Sequence, residues 1–409
     1  MLHRIWLGFF LVAFASALYQ WLGQGDAEVF QRMVAALFDM ASLSVELAIG
    51  LVGLMALWLG VVAVGEASGL VDKLARALSP LFTRLMPEVP AGHPAISSMT
   101  LNLSANILGL DNAATPLGIK AMQDLQTLNP NPGVASNAQI LFLVLNTSAV
   151  TLFPVTILLY RAQLGAPDPA AVFIPILIAT CCSTMAGLLV TAWVQRIRFN
   201  DLVVLMYLGV GFAFFLALVG WFTTLSASEL QRQSSLVSNL LIFSLIILFL
   251  VTAHRRSVNV YEAFIDGARQ GFDTAIAIIP YLLAMLVAIG VFRASGALDV
   301  VLGALRDLVA IGGWDARWVD AMPTALMKPL SGSGARAMMI DTMNNFGVDS
   351  FQGRLAATMQ GSTETTFYVL AVYFGAVGIR HSRHALACGL AADAAGICAA
   401  IAVAYWFYG

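Results

Sequence analysis

Ionisable side chains are scarce in this sequence, and Glu364 is the strongest functional candidate among them. It interrupts an otherwise apolar run at 355–379. A charged group inside a bilayer costs about 2.5–3.5 kcal/mol on insertion scales, so such groups usually face a pathway or a partner. Gln360 lies four residues earlier, and on one helix the two side chains would share a face. We expect Glu364 to bind substrate or a coupling ion, either a proton or Na⁺; the alternative is a structural ion pair with Lys328 or Arg336.

Small polar residues gather near Glu364 and in three other segments. Their amides and hydroxyls both donate and accept hydrogen bonds, so they suit a polar ligand where a membrane helix is interrupted. The alternative is that they only cap their own helix breaks. The predicted substrate- or ion-binding residues are Asn102, Ser104, Asn106, Asn112, Thr115, Asn146, Thr147, Ser148, Lys328, Ser331, Ser333, Arg336, Gln360, Ser362, Thr363, Glu364 and Thr365.

Two basic residues and one further carboxylate complete the set of candidate groups. Lys328 and Arg336 flank a polar segment and would receive a carboxylate or phosphate, or else anchor the chain at the membrane interface. Asp393 lies in a Gly/Ala-rich apolar run, where we expect close packing with one buried polar contact. No pattern predicts a catalytic residue, a metal ligand or a cofactor.

Composition places these residues in a polytopic membrane protein. Of 409 residues, 59% are hydrophobic and 11% are charged, against roughly 45–50% and 25% in soluble domains. The net charge of −2 offers no basic excess for a phosphate backbone, so a nucleic-acid partner is not expected. We therefore expect the chain to be embedded in a lipid bilayer.

Apolar runs of membrane-spanning length predict about nine crossings, since roughly 20 apolar residues are needed for each. The first continues through Trp21 and is expected to be a retained helix rather than a cleaved signal peptide. The windows lie at 5–25, 47–65, 125–160, 171–195, 202–228, 236–253, 274–292, 355–379 and 385–409.

The basic clusters predict the orientation. With a cytoplasmic N-terminus, alternation places Arg196, His254 to Arg256 and Arg380 on the inner side, as the positive-inside tendency requires. We therefore expect a multi-pass protein of the bacterial inner membrane with the N-terminus in the cytoplasm.

Two further segments, 92–124 and 321–346, are apolar but interrupted by Gly, Ser, Asn and Pro. Irregular backbone at membrane depth must be buried in protein or line a wet cavity. Each segment therefore predicts a re-entrant helical hairpin with a polar tip, and an extramembrane loop is the alternative.

The two halves of the chain repeat each other. Residues 67–72 match 294–299, and the same offset of 227 pairs Leu103 and Ser104 with Leu330 and Ser331 at the predicted tips. A second block, beginning at Ser148 and Ser362, has an offset of 214 and pairs Val150 with Glu364. The difference of 13 predicts an insertion in the first half between the two blocks, which contains part of 108–120. The number of crossings between equivalent helices predicts that the two repeats enter the membrane from opposite sides. Such inverted repeats are the architecture of many secondary transporters.

At these motifs the chain resembles a known group of membrane proteins. The run from Asn102 to Gly118 is similar to spore maturation protein A. Pro329 to Gly334, with Gln360 to Val369, is similar to spore maturation protein B. Asp111 departs from the small residue expected there. The resemblance spans nearly the whole chain and implies a fusion, with an A-like repeat at 1–200 and a B-like repeat at 201–409.

The resemblance also implies a fold and a class of function. Both proteins belong to the nucleoside-recognition or gate-domain group, which includes concentrative nucleoside transporters and the membrane part of FeoB-type iron transporters. It implies a gate-like fold with paired re-entrant hairpins. Together with the apolar windows and the repeat, we expect an all-α polytopic fold of about nine transmembrane helices plus two re-entrant helical hairpins in an inverted repeat.

The function that follows is an inner-membrane secondary transporter of a small polar solute, nucleoside-like or another metabolite. It would act through the hairpin tips and Glu364, coupled to a proton or Na⁺. The alternative is a non-transporting membrane component that supports cell-envelope or spore-type maturation. An enzyme is not expected, because the GxxxxGK[ST], HExxH and GxSxG patterns do not occur. Exposed helix faces would support a homo-oligomer.

Overall fold

In the computed structural model, residues 2–108, 111–151, 154–197 and 199–409 are described, and they are almost entirely helical. Two short 3-10 helices precede α8 and α13. The helices are α1 (Leu2–Gln24), α2 (Val29–Ala67), α3 (Leu70–Leu85), α4 (Pro94–Ile107), α5 (Asp111–Gln126), α6 (Asn137–Thr147), α7 (Val155–Gln163), α8 (Phe173–Gln195), α9 (Leu202–Thr223), α10 (Ala227–Arg255), α11 (Val260–Ala294), α12 (Ala297–Ile311), α13 (Met322–Met327), α14 (Gly332–Phe346), α15 (Phe351–Gly361), α16 (Thr366–Gly375) and α17 (Ala385–Tyr408).

Seven of the described helices are long and apolar enough to cross a membrane: α1, α2, α8, α9, α10, α11 and α17. Each covers one predicted window, so the all-α polytopic fold is confirmed. α2 and α11 are longer than their windows, at 39 and 35 residues.

The other two apolar windows contain interrupted helices. Window 125–160 holds α6 and α7, and window 355–379 holds α15 and α16. α6 and α15 each have 11 residues and stop where the apolar sequence gives way to small polar residues. A single uninterrupted helix in either window is therefore wrong. Ser, Thr and Asn side chains offer the backbone alternative hydrogen bonds, which lets a helix end inside an apolar run.

The placement of Gln360 and Glu364 on one helix is also wrong. α15 ends at Gly361, and Glu364 lies in the non-helical segment that precedes α16. The i,i+4 relation of the two side chains is therefore not formed.

Both segments predicted as hairpins fold into helical hairpins. α4 packs against α5, and α13 packs against α14. His93 caps α4, its Nδ1 accepting from the Ala95 amide at 3.2 Å, and Ser331 caps α14 through the Gly334 amide at 3.1 Å. These caps explain why α4 and α14 begin where they do.

The predicted equivalence of the two tips is wrong. Leu330 and Ser331 lie at the turn before α14, but Leu103 and Ser104 lie inside α4. α4 has 14 residues and α13 only six. The connection after α5, at 127–136, is also longer than the one after α14, at 347–350. The extra length in the first half is thus divided between α4 and this connection.

The turn that opens each repeat is the same in both halves. Ser68 Oγ donates to the Gly65 carbonyl at 2.6 Å, and Ser295 Oγ donates to the Phe292 carbonyl at 2.8 Å. The next residue is in each case a glycine with positive φ, at 67° and 68°. Positive φ is costly for other residues, which accounts for the glycine in both matched blocks.

The chain folds into two compact units, each assembled from segments of both sequence halves. Unit 1 consists of 1–59, 156–169 and 268–360, and unit 2 of 60–155, 170–267 and 361–409. In unit 1, apolar side chains of α1, α2, α11 and α12 form a core around Ala13, Val29 and Phe292. In unit 2, a larger core surrounds α6, with Phe142, Leu143 and Val144 fully buried.

Candidate functional site

The end of α6 is the point in unit 2 where the predicted polar residues converge. Asn146 and Thr147 form its last turn, and Ser148 follows; all three are buried. Their side chains bond back to helix carbonyls: Asn146 Nδ2 to Phe142 at 2.9 Å, and Ser148 Oγ to Val144 at 2.8 Å. The Val144 carbonyl also accepts from the Ser148 amide at 3.1 Å, so these side-chain bonds add to the backbone hydrogen bonds of the last turns.

The last carbonyls of α6 receive partners from elsewhere in unit 2. The Glu364 amide donates to the Thr147 carbonyl at 2.8 Å. The Thr184 hydroxyl of α8 donates to the Ser148 carbonyl. The interruption of α6 is thus joined directly to the segment that carries Glu364.

Three asparagines and a tyrosine form a hydrogen-bonded group, hereafter the amide cluster: Asn102, Asn106, Asn146 and Tyr373. Asn106 Nδ2 donates to Asn146 Oδ1 at 2.8 Å, and Tyr373 Oη donates to the same oxygen at 3.3 Å. Asn102 Nδ2 lies 3.3 Å from Tyr373 Oη and donates to the Ala114 carbonyl at 2.7 Å. The cluster links the first hairpin to α6 and α16.

The amide cluster retains unused hydrogen-bonding capacity. Asn102 Oδ1 is buried and has no hydrogen-bond partner among the described residues. Thr363 Oγ1, in the segment before α16, is also buried and also has no hydrogen-bond partner among the described residues. Buried polar atoms are normally paired, so such atoms favour a site that a ligand or ion completes.

Tyr373 was not predicted from the sequence. It shares the buried face of α16 with Thr366 and Val369, at intervals of three and four residues. A tyrosine on the buried side of an apolar helix needs a partner for its hydroxyl, and this spacing was the signal available.

The Glu364 segment divides between buried and exposed side chains. Ser362, Thr363 and Thr365 are buried, whereas Glu364 is exposed. Glu364 contributes its backbone amide to the α6 interruption and leaves its carboxylate accessible.

Other predicted residues of unit 2 take local roles. Ser104 is buried and donates to the Thr100 carbonyl at 2.6 Å, one turn earlier in α4. Thr115 is half-buried in α5. The prediction for the Asn112 side chain lies outside the described residues.

The second hairpin tip lies in unit 1. Lys328 is buried at the turn, and Ser331 caps α14 with its hydroxyl 3.2 Å from that of Ser333. The Arg336 guanidinium lies 5.8 Å from the centre of the Tyr160 ring. Gln360 is buried in the last turn of α15, and its Oε1 has no hydrogen-bond partner among the described residues.

Unit 1 also contains a buried arginine that the sequence analysis did not single out. Arg161 is fully buried near the end of α7. Its guanidinium donates to Asp349 Oδ1 at 2.7 Å and to the carbonyls of Val348, Pro169 and Asp168 at 2.9, 3.1 and 3.3 Å. It fastens α7 to the connection between α14 and α15.

Asp393 makes the buried polar contact that its sequence predicted. Its carboxylate is 2% exposed and accepts from Thr366 Oγ1 at 2.6 Å. Thr366 is the first residue of α16, so α17 is joined to the Glu364 segment as well.

A cavity of about 480 Å³ with both polar and apolar walls lies at the opposite end of α6 from the amide cluster. Asn129, Ser136, Asn137 and Arg383 line part of it. α6 is about 16 Å long by its 11 residues, so the cavity and the cluster are separated by a single short helix.

Comparison with known proteins agrees with this architecture. A family profile described as "Nucleoside recognition" matches residues 48–163 and again 275–380. Over 154 residues the chain is 47% identical to spore maturation protein B of Bacillus subtilis (strain 168), covering 38% of this chain and 85% of that protein. Over 160 residues it is 38% identical to spore maturation protein A of the same organism, covering 39% and 82%.

These matches are consistent with a fusion of two related proteins. The family profile occurs once in each half, and each match contains one of the interrupted apolar windows. The chain is a member of the Gate family of nucleoside-recognition membrane proteins.

Proposed function

We propose that this protein is a secondary transporter that moves a small polar solute, such as a nucleoside, across the bacterial inner membrane. The observation that carries the proposal is the amide cluster: four neutral polar side chains at the interruption of an apolar helix, with Asn102 Oδ1 left without a partner. Secondary transporters bind substrate at such interruptions, because unwound backbone and polar side chains replace the water around the solute.

The chemistry of the cluster favours a neutral, hydrogen-bonding solute. Amide groups offer donors and acceptors side by side, and the Tyr373 hydroxyl offers both. The edge of a nucleobase or a sugar hydroxyl presents the complementary pattern. The exposed Glu364 carboxylate is available to the same solute, and the cavity at the far end of α6 would serve as its entrance.

The membrane arrangement belongs to the same proposal. The two helical hairpins would be re-entrant, the repeats at 1–200 and 201–409 would be inverted, and the N-terminus would face the cytoplasm. We also predict that the chain forms a homo-oligomer through its exposed helix faces. The interrupted helices support this arrangement, since broken helices near the midplane accompany inverted repeats in transporters.

A solute screen in proteoliposomes tests the transport proposal. Uptake of nucleosides and other small metabolites would be compared for the wild type, Tyr373→Phe and Tyr368→Phe. Tyr373→Phe keeps the ring stacked on Phe142, 6.0 Å between centres, but removes the hydroxyl. Tyr368 lies on the same helix and is 57% exposed, so it is the matched control.

We expect Tyr373→Phe to weaken the apparent affinity for the transported solute about tenfold, the equivalent of one lost hydrogen bond. Tyr368→Phe should behave as wild type, and Glu364→Gln should reduce uptake. Equal uptake by Tyr373→Phe and Tyr368→Phe for every solute would remove the amide cluster from the function.

A second candidate function is a non-transporting membrane component that supports envelope or spore maturation. The observation that favours it is the name of both relatives, spore maturation proteins A and B. Absence of flux for every solute by a folded wild-type protein would favour this candidate.

A further inference from the structure

A buried carboxylate in α17 lies where both interruptions of unit 2 meet. Asp393 is 2% exposed and shares a face of α17 with Gly389, Ala392 and Gly396. This face packs against α8 and against the segment before α16, because Ser183 Oγ donates to the Ala392 carbonyl at 2.9 Å and Thr366 Oγ1 donates to Asp393 Oδ2 at 2.6 Å.

The two glycines let this face of α17 approach oxygen-bearing groups of both interruptions closely. A Cβ built on Gly396 would lie 3.1 Å from the Ser362 carbonyl oxygen and 2.7 Å from Thr363 Cγ2. A Cβ built on Gly389 would lie 3.6 Å from both Thr147 Oγ1 and Thr366 Oγ1. Larger residues at either position would push these groups away, so the glycines permit the approach.

The hydroxyl of Thr363, whose methyl group lies beside Gly396, has no partner among the described residues. Thr363 is 3% exposed, and its hydroxyl makes no hydrogen bond to the described residues. The Thr363 side chain lies against Gly396, one turn of α17 from Asp393. A buried carboxylate, hydroxyls and carbonyls at a helix interruption are the donors that Na⁺ takes in membrane proteins.

We propose that Asp393, Thr363, Thr366 and the Ser362 carbonyl form a Na⁺ site. Na⁺ bound there would compensate the carboxylate and fasten α17 to the segment that carries Glu364. Its role as the coupling ion rests on the proposed transport function, whereas the site itself does not. Glu364, being exposed, is left to contact the solute.

Thermal unfolding of the purified full chain in detergent tests the site without any solute. NaCl would be titrated against choline chloride at constant ionic strength and fixed pH. A ligand that binds only the folded state raises its stability by RT ln(1 + [L]/Kd). We therefore expect Na⁺, and not choline, to raise the melting temperature of the wild type.

Four variants locate the effect. Asp393→Asn should abolish the Na⁺-dependent rise, and Thr366→Val should weaken the apparent Na⁺ affinity at least about tenfold. Thr366→Ser, which keeps the hydroxyl, should bind Na⁺ as the wild type does, and so should Glu364→Gln. If Asp393→Asn does not fold, the comparison of Thr366→Val with Thr366→Ser still decides the outcome.

Three results would overturn the site: no Na⁺-specific rise in the wild type, an unchanged rise in Asp393→Asn, or equal Na⁺ affinity in Thr366→Val and Thr366→Ser. In the first case, a melting temperature that changes with pH in a parallel series would assign the group to a proton instead. A Na⁺-dependent rise with no solute flux would instead leave the site standing and contradict the transport function.

Discussion

At the scale of single residues, buried polar groups in this protein are held by several partners at once. Asn146 accepts from both Asn106 and Tyr373, and Arg161 donates to four oxygens. In an apolar surrounding an unpaired polar group is costly. The effect of a substitution should therefore depend on how many partners it leaves buried and unpaired.

Arg161→Met tests this expectation in unit 1. Removing the guanidinium takes the Arg161 donor from three carbonyls, and of the two described arginine partners of Asp349 it leaves Arg354, at 3.3 Å. We expect a loss of about 3 kcal/mol in unfolding free energy, measured by denaturation in detergent.

Arg354→Gln is the matched control, because Arg354 pairs with the same carboxylate but is 22% exposed. It should cost less than about 1 kcal/mol. A similar loss in both variants would contradict the role assigned to burial.

His384 gives the protein a pH dependence outside its membrane helices. It precedes α17, and burial, followed by the positive charge of Arg383, lowers the pKa of its imidazole below the usual 6.5. The unfolded chain then binds the proton more readily, so stability is lost as the pH falls through the unfolded value.

We expect the melting temperature to fall between about pH 7 and about pH 5, and His384→Gln to remove part of that fall. Gln195 Nε2 lies 3.0 Å from His384 Nε2, and glutamine should preserve a polar contact there. An identical pH profile in His384→Gln would show that other groups are responsible.

At the scale of helices, close backbone approach decides which elements can pack. α17 carries glycines where it meets the segment before α16, whereas α9 carries glycines with no atom within 4 Å of a built Cβ, such as Gly209. The same residue type therefore has a packing role in one membrane helix and none within the chain in the other.

Gly396→Ala should destabilise the protein by about 1–3 kcal/mol, because its Cβ would lie 2.7 Å from Thr363 Cγ2. Gly209→Ala should be neutral or slightly stabilising, since alanine is the better helix former. Thermal unfolding of the two variants side by side measures the difference, and equal melting temperatures would contradict close packing at Gly396.

At the scale of the whole molecule, neither sequence half contains a complete compact unit. Unit 1 takes 1–59 and 156–169 from the first half and 268–360 from the second, and unit 2 is divided in the same way. A half expressed alone would leave the apolar surface of each unit unpaired.

We expect the halves 1–200 and 201–409 to be degraded when each is expressed alone and to copurify from membranes when expressed together. Affinity purification through a tag on one half, with blotting for the other, measures this. Stable accumulation of either half alone would show that the repeats fold independently.

The features that could be predicted from the sequence differ between these scales. Apolar runs predicted every membrane-length helix, because helix length and hydropathy are local properties of the chain. The matched blocks at 67–72 and 294–299 form the same turn at Ser68 and Ser295, since its hydrogen bonds join neighbouring residues. The interruptions inside windows 125–160 and 355–379 were missed, because hydropathy averages over the few polar residues that cause them.

The sequence by itself determined that this is an all-helical, duplicated membrane protein whose functional candidates are a few polar residues. Only the tertiary structure decided which of them meet. Tyr373 joins Asn102 and Asn146 across long stretches of chain, and Asp393 meets Thr366 from another helix. Such pairings depend on how helices pack, and packing is set by all the side chains of a unit together rather than by any local pattern.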